Sequence, residues 1–144
     1  MVHSVLPYEG HCSLSAQMKD NLPIQSLTDL VQIVTGIASG MNFLHDKGVL
    51  HNHIVTDNVM VRNEMSPVLI GFSFACRAAT VKSDCLEVIK KFTNQRHMAP
   101  ELFRGAKVSY SSDVFAYGYI LKNLLKMTSP ASTTLLERMG SFSE

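Results

Sequence analysis

At 144 residues the chain is long enough to bury one core, and a content of 46% hydrophobic and 17% charged residues suits a globular fold. The formal net charge is +1 and no dense Lys/Arg run is interleaved with aromatics, so no nucleic-acid partner is expected. Cys12, Cys76 and Cys85 are odd in number and form no C-x-x-C pair, which argues against a disulfide framework or structural zinc and for reduced thiols in the cytoplasm.

Residues 1–6 are apolar around His3, too short for a signal-peptide core, and read as a short strand. Pro7-Tyr8-Glu9-Gly10-His11 reads as a turn, and Ser13-Leu14 opens a short helix to about Asp20. Residues 26–47 form the clearest predicted helix. Leu27, Leu30, Val31, Val34, Ile37, Ala38, Met41 and Leu44 recur there at the spacing of one buried face. Ser26 with Asp29 makes a capping-box start and Gly48 a left-handed stop. Gly36 and Gly40 each cost about 1 kcal/mol relative to Ala in a helix interior, which predicts a close neighbour at that backbone. No run approaches the roughly 18 apolar residues of a membrane span, so no membrane segment is expected.

Residues 49–51, 58–61 and 68–70 are short β-rich runs, with Arg62-Asn63-Glu64 as a hairpin turn. Residues 71–96 are mixed and polar. Residues 112–125 carry Val114, Phe115, Ala116, Tyr117, Tyr119, Ile120, Leu121, Leu124 and Leu125 on every side, the pattern of a helix in the centre of a core. Residues 128–144 are a polar, ragged tail.

Four stretches carry the chemistry. His51-Asn52-His53-Ile54-Val55-Thr56-Asp57-Asn58 lies on a loop between the long helix and the strand pair. Gly71-Phe72-Ser73 follows the strands, and Asn94-Gln95-Arg96-His97-Met98-Ala99-Pro100-Glu101 and Ser112-Asp113-Val114-Phe115-Ala116-Tyr117-Gly118 come later. In order and spacing the set resembles the protein kinase family, with its H-R-D-L-x-x-x-N catalytic loop, D-F-G, T-x-R-Y-M-A-P-E and S-D-V-x-S-F-G runs. Gly40-Met41-Asn42-Phe43-Leu44-His45-Asp46-Lys47-Gly48 is similar to the end of the kinase helix before that loop. The wording of this run and of Met98-Ala99-Pro100-Glu101 leans towards tyrosine-kinase-like relatives.

The resemblance implies a mainly α fold with a few short β-strands, a kinase C-terminal lobe truncated at both ends. Its partial domain runs over residues 1–127, from an adenine-touching hinge at Pro7-Tyr8-Glu9 to the central helix. The glycine-rich loop and the strand with the nucleotide-binding lysine would lie upstream. The resemblance also assigns roles. His53 takes the place of the catalytic aspartate, Asn58 keeps a metal-ligand place, Met60 is the adenine floor, and Gly71 stands where the metal-binding aspartate belongs. Asn52 replaces the arginine that pairs with a phosphorylated activation segment, Val55 a phosphate-reaching lysine, Ser73 the hinge glycine, and Asn94 the threonine that contacts the catalytic aspartate. By contrast His51, Phe72, Ala99, Pro100, Glu101, Asp113 and Gly118 survive in packing and scaffolding roles, with Asp113 expected to accept backbone N–H bonds from the loop.

Histidine can serve as a base, and general-base catalysis is worth about 10²- to 10⁴-fold, so His53 alone does not exclude slow activity. Gly71, however, offers no ligand atom, and phosphoryl transfer depends on metal and positive charge around the phosphate. Asn58 alone is a poor magnesium site. The resemblance therefore implies a pseudokinase: a signalling scaffold or regulator with a protein partner, open to self-association, and with no useful ATP or magnesium. Its alternative is a fragment of an ATP-dependent phosphotransferase whose N-terminal lobe is missing. A zinc reading of the His51/His53 pair lacks further ligands at fixed spacing, so no metal is assigned. His51 is expected to be packed and His53 solvent-facing, and His97 to be a packing residue. A serine nucleophile finds no G-x-S-x-G.

Overall fold

The Ser26 capping box begins the long helix as the sequence requires. The computed structural model describes residues 12–19, 26–81, 85–92 and 95–127; the expected strand at 1–6, the turn at 7–11, Asn94 and the tail at 128–144 lie outside the described residues. Before the long helix come a two-residue strand, β1 (Cys12–Ser13), and a short helix, α1 (Leu14–Lys19). In α2 (Leu27–Asp46) the Ser26 Oγ accepts from Asp29 N–H and an Asp29 carboxylate oxygen accepts from Ser26 N–H, both at 3.1 Å. Gly48 closes the helix at φ +70°, its N–H donating to the His45 carbonyl.

The buried stripe of α2 is Leu30, Ile33, Ile37 and Met41. This corrects the sequence expectation, since Leu27 is 76% and Val31 48% exposed and Ile33 was not among the residues expected inside. The glycines set that rotation. A Cβ on Gly36 would lie 2.6 Å from Pro67 Cδ, and one on Gly40 would lie 3.5 Å from Leu69 Cδ1, so the glycine side of α2 lies against the strand bearing those residues. Leu27 and Val31 then fall on the flank away from it. By length and mean hydropathy alone α2 would also pass as a membrane span. Its packing accounts for the apolar stripe without a membrane.

After Gly48 the chain forms β2 (Val49–Leu50), the loop of His51 to Asn58, β3 (Val59–Val61) and β4 (Pro67–Leu69). A three-stranded antiparallel sheet has the order β1-β3-β4, with Ser13 opposite Met60 and Met60 opposite Val68. Glu64 and Met65, both with φ near +60°, turn β3 into β4. β5 (Cys76–Arg77) pairs antiparallel with β2. Within the stretch that the sequence left unassigned, α3 (Cys85–Phe92) buries Leu86 and Ile89. α4 (Pro100–Phe103) starts with proline at its first position, and α5 (Tyr110–Met127) follows.

Two apolar cores result. One joins the α2 stripe to Ile54, Val59, Ile120 and Leu124, and the other joins Leu50 to Ile89, Met98, Leu102 and Val108. The loop from His51 lies between them. α5 is not enclosed as its sequence suggested. Ala116, Ile120 and Leu124 are buried, but Val114 is 50%, Phe115 41% and Leu125 47% exposed, because among the described residues only one face of α5 is covered. The mainly α architecture with a few short strands is the one the sequence resemblance implied.

Candidate functional site

Asp113, in the first turn of α5 and 1% exposed, organises the loop. Its Oδ2 accepts the His51 N–H and its Oδ1 the Asn52 N–H, both at 2.9 Å, and His45 Nε2 donates to Oδ2 at 3.0 Å. A buried carboxylate survives only when so paired, and its place at a helix N-terminus adds favourable dipole. Sequence reasoning expected the backbone donors but missed His45. Nothing in its spacing from residue 113 announces the contact.

His51 is fully buried. Its Nε2 donates to the Ile70 carbonyl at 3.0 Å and its Nδ1 accepts the His53 N–H at 3.2 Å, a pairing that assigns the proton to Nε2. Burial pushes its pKa down, against the pull of Asp113. The Phe72 ring lies 4.8 Å from the imidazole, covering it while remaining half-exposed. Asn52 holds φ +61°, a left-handed conformation that Asn tolerates. Its amide donates to the Phe74 carbonyl at 2.9 Å and to Cys76 Sγ at 3.3 Å, tying the loop to the segment after Gly71-Phe72-Ser73.

His53 is less exposed than the solvent-facing ring expected. It is half-buried, edge-on to Phe74 with ring centroids 5.1 Å apart. Asn58 Nδ2 donates both to the His53 carbonyl and to His53 Nδ1, each at 3.0 Å. Because a carbonyl can only accept, the amide orientation follows, and His53 Nδ1 must then be an acceptor with the proton on Nε2. The His53 pKa is pushed down by burial, with Asp57 opposing. The outer nitrogen of the ring is thus a donor and the inner one is already engaged. Asp57 in turn accepts from Ser15 Oγ at 2.5 Å, a contact that no motif or spacing announces.

Gly71 has φ +77°, and a Cβ there would come within 2.7 Å of Asn58 Nδ2 and closer still to its Oδ1. The Asn58 side chain therefore fills the space beside Gly71. For the magnesium that the family implies, Gly71 brings no ligand atom, and Asn58 has its Nδ2 turned to His53 and its Oδ1 beside Gly71. Among the described residues no group of three or more His, Cys, Asp or Glu could hold a metal ion. Met60 is half-buried in β3, and Glu101 half-buried in the first turn of α4. Gly118 is exposed, and a Cβ there would meet nothing within 4 Å, so no steric need for glycine is found there. His97 packs edge-on against Tyr119 at 4.4 Å, its pKa lowered by burial and by His53.

A catalytic-type loop suspended from a buried aspartate on a central helix, followed by a strand pair and a Gly-Phe-Ser turn, defines the C-terminal lobe of a kinase-like protein. The chain belongs to the protein kinase family: residues 2–139 match the family described as protein tyrosine and serine/threonine kinase. It is 33% identical over 105 residues to lectin-domain containing receptor kinase VI.4 of Arabidopsis thaliana, covering 71% of this chain and 15% of that protein. It is 26% identical over 99 residues to serine/threonine/tyrosine-protein kinase HT1 of the same plant, covering 69% of this chain and 24% of the relative. It is 28% identical to human dual specificity testis-specific protein kinase 1 over 145 residues, covering 98% of this chain and 23% of that kinase. The chain therefore spans less than a quarter of the length of these relatives.

Proposed function

We propose that the chain is a catalytically inactive kinase-like module that serves signalling as a scaffold or regulator through a protein partner. The observation that carries this reading is the closed cluster of His53, Asn58 and Gly71. Asn58 gives its Nδ2 hydrogens to His53, His53 offers a proton donor where a base is needed, and Gly71 stands where a carboxylate would bring the metal. Phosphoryl transfer rests on positioning and on positive charge at the phosphates, and a base with no positioned phosphoryl group accelerates nothing. The half-exposed Val114 and Phe115 on α5 support a protein partner or a second copy.

The test is a titration with ATP, with and without magnesium, beside a radiolabel-transfer assay on a mixed peptide pool. Neither magnesium-dependent binding in the micromolar range nor transfer is expected. A second reading is favoured by one observation, that the chain covers only 15–24% of the three relatives named above: it is part of a longer phosphotransferase. Transfer by the longer protein that is lost on His53→Ala would establish that reading.

A further inference from the structure

Among the described residues, Asn52 Oδ1 and His97 Nδ1 are buried with no hydrogen-bond partner. Both residues line one cavity of about 30 Å³, which Ser112 and Asp113 bound from the start of α5 and Val108 bounds on its apolar side. Two residues with orphaned polar atoms at one void are unlike a packing gap. Empty cavities in proteins are apolar, whereas a polar one holds water once it offers about 10–15 Å³ and two to four partners.

We propose that this cavity is a binding site for one structural water molecule that joins Asn52, His97 and Asp113. The hydrogen-bond roles follow from what each group already does. The Asn52 amide hydrogens are spent on Phe74 and Cys76, so its Oδ1 can only accept. Asp113 accepts as well, with lone pairs beyond those given to His45, His51 and Asn52. The water's two hydrogens go to Asn52 Oδ1 and to the Asp113 carboxylate, and its oxygen accepts from His97. His97 must then carry its proton on Nδ1. Burial and the neighbouring His53 keep that ring neutral. The water thereby links the loop remnant to the turn that precedes α4.

The test is nitrogen-15 NMR on the chain labelled at histidine, recorded above the His97 pKa. Expected are a protonated Nδ1 and an unprotonated Nε2 at His97, with a cross-peak from Nδ1–H to a long-lived water. A ring protonated on Nε2, or no water cross-peak, overturns the proposal. Val108→Ile gives a second reading by adding one methylene at the apolar wall. If the cavity holds water, this variant loses the water signal and melts a few degrees lower, because both polar atoms stay orphaned. A melting midpoint that is unchanged or raised marks a dry void and overturns the proposal. Should the variant not fold, the spectra of the unaltered chain decide alone.

Discussion

The two halves of the loop differ in what their side chains face. Residues 51 and 52 give both backbone N–H groups to Asp113, while the imidazole of His51 is buried and bonded on both nitrogens. Residues 53 and 58 bond to each other, and Asn58 closes on Gly71. One half is held by the rest of the fold, and the other is held by bonds within the loop itself. A loop can keep its shape through buried anchors whatever groups its tip carries.

The strongest challenge to the anchored half is Asp113→Ala. It strips acceptors from two buried N–H groups and from His45, and each buried donor left unpaired costs about 1–3 kcal/mol, so a loss of about 3 kcal/mol or more is expected. Thermal melts of variant and wild type within a degree of each other would sink the anchoring role. At the tip, Gly71→Ala should cost about 2 kcal/mol, from the left-handed backbone and the collision with Asn58. Urea unfolding with no loss of midpoint would show that Asn58 moves aside freely. Gly71→Asp should suffer the same penalty and still fail to gain magnesium-dependent ATP binding by calorimetry; a gain would show that one residue alone separates this site from a metal site.

Glycines away from the loop give a smaller contrast. Gly36→Ala meets Pro67 and should lose about 1 kcal/mol, overpacking outweighing the better helix propensity. Gly118→Ala meets nothing and should gain about 0.5–1 kcal/mol. Equal denaturation midpoints for the two variants would refute the packing difference.

The smallest effect is with pH. His51, His53 and His97 are all held below their ordinary value of 6.5 by burial, so the unfolded chain binds more protons just below that value. Stability should be full above pH 6.5 and fall as the pH drops through the lowered folded values. Unfolding midpoints that rise between about pH 7 and pH 5.5 would contradict this.

Sequence carried far where a local rule was enough. The capping box at Ser26, the stop at Gly48 and the close approach at Gly36 depend on residues a few positions apart or on the size of a missing side chain. The motif order placed Asp113 under the loop. What it could not reach were contacts between distant segments, such as His45 with Asp113, and the rotation of α2, which Pro67 and Leu69 decide. The orientation of His53 was misjudged for the same reason. Its exposure depends on Asn58 and Phe74, and a solvent-facing tip was inferred from the loop alone. α3 was missed because its eight residues follow a stretch with no periodic signal.

The support that Asp113 gives has a consequence for the order of assembly. The bonds to His45, His51 and Asn52 span 68, 62 and 61 residues, so the aspartate leaves the ribosome long after the loop it holds. Until then the N–H groups of residues 51 and 52 must stay in water, and closing so long a stretch of chain comes before any gain from the contact. A nascent chain that stops short of residue 113 lacks the keystone of its own loop. In such a chain residues 51–58 are an open segment for proteases or chaperones, and the loop forms as a late event in folding, not as its seed.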